Sequence, residues 1–194
     1  MSPRPRTVSD DDILAAAARA MSKVTPTRFT LADVAREVGL APATLVQRFG
    51  SKRGLLLALA AQSAESMDAC FDAVRQAHAS PLAALFDAAT TMARFSKSPE
   101  ELANSLAYLQ IDLSDPDFHR HILEGSRASQ RGYRALLDEA VARGELERCD
   151  TERLARTVDA IAGGSLIGWA IHRKGKAETW VRKDLETLLA PYRA

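Results

Sequence analysis

The stretch from Thr30 to Phe49, TLADVAREVGLAPATLVQRF, constrains this chain more than any other. It reads as two short helices joined by a tight turn. Thr30 offers a hydroxyl to an orphan amide at the start of the first helix, and Asp33 stands three residues on as a short-armed capping box. Leu31, Val34, Ala35 and Val38 recur at i, i+3, i+4 and i+7, which gives one apolar face. At Ala35 the side chain is only a methyl, which lets another backbone approach. Gly39 suits the left-handed conformation that ends a helix, and Pro42 suits a first helical position because it has no amide to satisfy. Leu45 and Phe49, four apart, turn the second helix inward and leave Ala43, Thr44, Gln47 and Arg48 outward. Gly50 breaks the chain, Ser51 caps again and Lys52 opens a further helix. Such a pair can lay its second helix in the major groove of DNA. Helical hairpins that bind no DNA share the same spacing.

The run from Thr30 to Leu56 carries more than spacing. Its Thr-x-x-Asp-Val-Ala opening, its Val-Gly-Leu turn, Thr44-Leu45, Phe49 and Ser51-Lys52 resemble the tetracycline-repressor (TetR) family of bacterial transcription regulators. Three positions depart from that pattern. Ala41 stands where the family has Ser or Thr, Val46 where it has a phosphate-contacting Tyr, and Arg48 where it often has His. A glycine common in the family near Lys23 is also missing, which implies a different path for the loop from Val24 to Phe29. The resemblance implies an all-α fold of about nine helices. A three-helix helix-turn-helix domain over residues 1–54 would precede a larger helical domain over 55–194 that binds an effector and dimerises.

The rest of the chain agrees with an all-helical reading. At 194 residues it can bury a sizeable core in one or two domains. Net charge is +1, but the first sixty residues are mildly basic and the remainder acidic, which suits phosphate contact at the front. Cys70 and Cys149 show neither metal spacing nor a redox motif and read as reduced thiols. No apolar run approaches twenty residues and no signal-peptide core opens the chain, so a cytoplasmic location is expected. Arg4 and Arg6 precede the first helix and are candidates for a minor-groove arm. Ser9 caps that helix, with Asp10 to Asp12 at its positive end.

From Lys52 one helix is expected to continue past Phe71 as a rigid link between the two ends. Further helices are expected over Leu82–Phe95, from Ser98-Pro99, from Asp115-Pro116 to about Arg143, over Thr151–His172 and over Ala177–Tyr192. Gly125, Ser126 and Ser129 predict a kink or break in the third of these. No strand signal, repeat or low-complexity tract is present.

Site residues follow from both lines of reasoning. Arg28 and Thr30 are expected to flank the DNA backbone, with Thr44 and Lys52 holding phosphate. Ala43, Gln47 and Arg48 would face base edges, Gln47 toward adenine and Arg48 toward guanine. Ala160, Gly164 and Gly168 lie four apart and leave a bare stripe on the penultimate helix. Glycine costs about 1 kcal/mol there, which close helix approach would offset. With Trp180, Leu185 and Leu188 this stripe is expected to form a two-fold dimer interface. Tyr108, Gln110, His121, Glu124 and Trp169 are polar-tipped side chains on apolar helices and candidates for an effector pocket; Asp112, His119 and His172 are weaker ones. His121 and Glu124 make at most half a metal site, so neither metal nor cofactor is expected. No nucleophile elbow, His-Glu-x-x-His or phosphate loop points to an enzyme. The expected partners are a two-fold symmetric operator duplex, a second copy of the chain and an unknown small molecule. A rival expectation, drawn from Ala41 and Val46, is a sensor whose front domain holds DNA weakly or not at all.

Overall fold

The computed structural model describes residues 8–194. Arg4 and Arg6 therefore lie outside the described residues. Ten α-helices and a closing 3-10 turn are present among the described residues, close to the expected number of about nine. They are α1 (Asp10–Lys23), α2 (Leu31–Glu37), α3 (Pro42–Phe49), α4 (Lys52–Glu65), α5 (Met67–Ala77), α6 (Pro81–Phe95), α7 (Pro99–Ser114), α8 (Pro116–Ala142), α9 (Thr151–His172) and α10 (Ala177–Leu189), with the 3-10 turn at Ala190–Tyr192.

Local chemistry sets most of these starts. Ser9 makes a reciprocal capping box with Asp12, and Thr30, Ser51, Ser98, Asp115 and Asp150 each accept a first-turn amide through the side chain. Ala41 precedes α3 with no side-chain cap bond, so the missing hydroxyl is a real loss of one partner there.

Two expectations fail. The helix from Lys52 does not run unbroken past Phe71; it is interrupted at Ser66, where α4 ends and α5 begins. Ser66 Oγ donates to the Ser63 carbonyl at 3.2 Å, a local bond that competes with regular helix at this point. The second failure is the opposite. Helix α8 runs without a break through Gly125, Ser126, Ser129 and Gly132. Its Gly132 serves packing. A Cβ on Gly132 would stand 2.3 Å from the ring of Phe71, so α5 can press its aromatic side chain onto the helix only because that methyl is absent. The Phe71 ring then meets Tyr133 edge-on at 5.0 Å.

Helix α8 is the axis of the larger part, with α4, α5, α6, α7 and α9 packed around it and α10 closing on α6 and α9. There are two apolar cores. The front core joins Ile13, Leu14, Phe29, Val34, Ala35, Leu45 and Leu55, takes in side chains of α4 as far as Ala60, and receives Tyr108 from α7 and Phe118 from α8. The rear core centres on Leu85, Leu136, Leu137, Val158, Trp169, Val181 and Leu185. The apolar packing of the front end thus reaches beyond residue 54 and uses two helices of the larger part as its floor. No helix among the described residues is long and apolar enough to cross a membrane.

Candidate nucleic-acid interface

Helix α3 owes its position to one residue. Leu45 is fully buried, and Phe49 one turn later packs against the same core. Gly39 and Gly50, with φ near +71° and +76°, make the two sharp reversals that let α2, α3 and α4 fold onto one another. The Leu40 amide donates back to the Ala35 carbonyl at 2.8 Å and closes the turn between α2 and α3. Gly54 brings α4 against the end of α3 so tightly that a Cβ there would lie 1.9 Å from the Phe49 carbonyl oxygen.

The outward side of α3 presents Ala43, Val46, Gln47 and Arg48 to solvent, with Thr44 half-buried. Val46 is 47% exposed and was not among the outward residues that the sequence suggested. Of these, Gln47 carries the amide that can pair bidentately with adenine.

Two side chains expected to contact DNA are hydrogen-bonded to partners distant in sequence. Arg48 donates through Nη1 to the Val8 carbonyl at 2.8 Å, and its Nη2 lies 2.6 Å from Asp10 Oδ1. The guanidinium thus ties the end of α3 to the start of α1, and the guanine contact expected of it would compete with these solvent-exposed bonds. Lys52 donates through Nζ to the Pro26 carbonyl at 2.5 Å and lies 5.8 Å from the centre of the Phe29 ring. It fixes the loop before α2, leaving phosphate contact a secondary capacity. Thr30 is also committed: its hydroxyl donates to Asp33 Oδ2 at 2.6 Å while accepting from the Asp33 amide at 3.2 Å. That hydrogen bond, and Arg36 beside it, hold the Asp33 carboxyl below its ordinary range. Arg28 stays exposed on the loop that leads into α2.

The front domain is fastened to the larger part at two places. Near the base of α1, Asn104 donates to the Ser22 carbonyl at 3.0 Å and the Tyr108 hydroxyl donates to the Val24 carbonyl at 3.1 Å. Burial pushes the Tyr108 hydroxyl up to about 12, which keeps it protonated and able to donate. At the start of α4, Arg53 Nη2 donates to both oxygens of Asp115 at 2.9 Å and to Asp117 Oδ2 at 2.8 Å, with its guanidinium 5.4 Å from the Phe118 ring centre. The hydrogen bond from Arg53 holds the Asp115 carboxyl below its usual value. Sequence reasoning assigned nothing to Arg53, because neither carboxylate lies within sixty residues of it.

The expected pocket residues do not converge. Tyr108 is buried in the front core, and Trp169 is buried in the rear core, where its indole donates to the Gly175 carbonyl at 3.1 Å. Gln110 and Glu124 are exposed, and the half-buried His121 lies 3.6 Å from Glu124 on one helix face. Open depressions among the described residues include one of about 440 Å³ between α5 and α8 and one of about 370 Å³ between α8 and α9. None of the five residues lines either of them. Among the described residues, no three His, Cys, Asp or Glu side chains gather as metal ligands.

The expected dimer residues divide. Ala160 and Gly164 are exposed on α9, and a Cβ at Gly163 or Gly164 would meet nothing within 4 Å. Ile167 and Ile171 extend this bare apolar face, at 45% and 72% exposure. Gly168 instead accommodates Trp180 of the same chain, whose ring would lie 3.4 Å from an added Cβ. Leu185 is fully buried in the rear core, so its expected place on an intersubunit surface is corrected. Trp180 and Leu188 are half-buried.

Beside this face Asp159 accepts from Ser129 Oγ at 3.2 Å, and burial raises its carboxyl above the ordinary value. A carboxyl raised by folding favours the native state below its unfolded pKa and loses that contribution as pH climbs through the folded pKa. Asp159→Asn is therefore expected to raise the thermal midpoint at pH 7, with the gain shrinking toward pH 4. Melting curves across that range check it.

An exposed helix pinned on its far side, with an amide donor–acceptor on its outward face, is the geometry of a helix-turn-helix, which can lay its second helix in a major groove. Residues 13–59 match the family model described as bacterial regulatory proteins, tetR family. By sequence the front part of the chain is thus similar to that family, and the whole chain shares its fold with solved structures of such regulators. It is similar to a TetR transcription regulator from Haloarcula marismortui at 18% identity, with 95% of this chain and 98% of that one covered and a TM-score of 0.72. A TetR-family transcriptional regulator from Thermus thermophilus is 24% identical, covering 94% and 96% at a TM-score of 0.60. A protein from Saccharomonospora viridis, solved in complex with choline, is 17% identical, covering 93% and 95% at a TM-score of 0.73. No curated protein matches the chain by sequence.

Proposed function

We propose that this regulator is a cytoplasmic homodimer that represses transcription by holding a two-fold symmetric operator and releases it when a small molecule binds the larger helical part. The observation that carries the DNA half is the exposed face of α3, held outward by the burial of Leu45 and bearing Gln47. Gln47 pairs with adenine, Ala43 and Thr44 border the same groove, and Arg28 flanks the backbone. The start of α4 after Ser51 adds amides toward phosphate, with Lys52 in support.

The bare face of α9, from Ala160 through Gly163 and Gly164 to Ile171, supports the dimer, because glycines facing open space have no packing role within one subunit. A symmetric pair sets two recognition helices about 34–36 Å apart, one turn of duplex. Arg53 and Tyr108 tie the front domain to α7 and α8, so a ligand that favours another arrangement of those helices would shift the spacing of the two reading heads. The choline complex of a protein with this fold supports a small organic effector.

Selection from random duplexes tests this. A two-fold symmetric site is expected, and Gln47→Ala should cost about 1–3 kcal/mol at one adenine per half-site while other positions hold. If no symmetric sequence is enriched at low salt, or if sedimentation finds only monomer at micromolar concentration, the proposal is rejected.

A further inference from the structure

We infer that Val46 reads the C5-methyl group of a thymine, so that each operator half-site sets a thymine methyl beside the base taken by Gln47. The inference rests on the operator-binding reading above. Val46 lies one turn after Ala43 and beside Gln47 on the outward side of α3, a large hydrophobic side chain left 47% exposed. The cations that could take charge of this surface are engaged elsewhere, Arg48 with Val8 and Asp10 and Lys52 with Pro26. Besides the engaged Arg48 and the half-buried Thr44, the outward side carries the Gln47 amide and an apolar patch of Ala43 and Val46. A valine can neither donate to phosphate nor pair with a base edge. The thymine methyl is the apolar group that base edges display in the major groove. A β-branched side chain in a helix holds essentially one χ1 rotamer, so Val46 meets that methyl without losing side-chain freedom.

The test uses the full-length protein and the symmetric site obtained by selection. Each thymine is replaced in turn by deoxyuridine, symmetrically in both half-sites, which removes only the methyl. One position should lose about fourfold in affinity per half-site, the worth of one buried carbon; the others should be unchanged. With Val46→Ala, binding to the parent site should weaken and the deoxyuridine effect at that position should disappear, with an unaltered thermal midpoint showing that the fold is intact. Indifference to every deoxyuridine overturns the inference and leaves operator binding standing. So does a methyl effect that survives Val46→Ala, or one abolished by Ala43→Gly instead. Failure to select any symmetric site overturns the operator reading itself, and the two failures are thereby distinct.

Discussion

Gly54→Ala should disable DNA binding while leaving the helical content of the protein in place. The added Cβ would lie 1.9 Å from the carbonyl oxygen of Phe49, and that atom is backbone at the end of the reading helix. A flexible side chain could swing aside; a peptide carbonyl at the α3–α4 junction moves only if one of the helices moves. The methyl is also bracketed by Ser51, whose Oγ accepts from the Gly54 amide at 3.1 Å, so the cap of α4 is strained by the same shift. Overpacking of this kind costs about 1–3 kcal/mol, and the upper end is expected here. Operator affinity measured by anisotropy should fall by about tenfold or more, the equivalent of about 1.4 kcal/mol lost to misplacing α3. The matched control is Gly125→Ala, where the new Cβ would sit 3.7 Å from Ala64 Cα, an ordinary contact. That change should be neutral, or should stabilise by up to about 1 kcal/mol through helix propensity. Equal outcomes for the two alanines would refute the close-approach account of Gly54.

Leu45→Ala should cost about 2–5 kcal/mol, the range for removing a fully buried leucine. Leu45 is fully buried in the front core, with Ile13, Phe29, Val34 and Leu55 in the same cluster. Urea denaturation gives the stability change directly. Operator binding should fall with it, because the side chain that fixes the tilt of α3 is gone. Val46→Ala, one position along the same helix, should stay within about 0.5 kcal/mol of the parent in the same denaturation, as exposed substitutions do. This neighbouring pair separates the two sides of one helix: one residue holds it to the protein and the next faces outward. A loss of stability at Val46 as large as at Leu45 would mean that α3 is oriented differently.

The candidate site was only partly legible in the sequence. The inward pair Leu45 and Phe49 followed from spacing, and the helix starts followed from capping residues, because both depend on contacts within one or two turns. Arg48 and Lys52 were legible as charges but not as to their destination. Their partners, Val8 with Asp10 and the Pro26 carbonyl, are brought to them by the packing of α1 and the following loop. Val46 was noted for the family tyrosine it lacks, and its value as an apolar reader emerged only once its neighbours' charges were seen to be occupied. The break expected near Gly125 in α8 is absent, and Gly132, to which the sequence reading gave no role, is one that packing requires. Propensity treats a glycine as a weak point, whereas Gly132 is the space that Phe71 fills.

The amino-acid order alone determined that the protein is helical, where most helices start, and that Thr30 to Phe49 forms a turn-linked pair with a fixed inner side. Those properties are set by periodicity and by hydrogen bonds spanning three or four residues. Tertiary structure decided which cations are left for DNA, that the link beyond α4 breaks at Ser66, that Leu185 belongs to the subunit's own interior, and that Arg53 straps the reading domain to α8. Each of these turns on groups far apart in the chain meeting in space, and no local pattern encodes such a meeting.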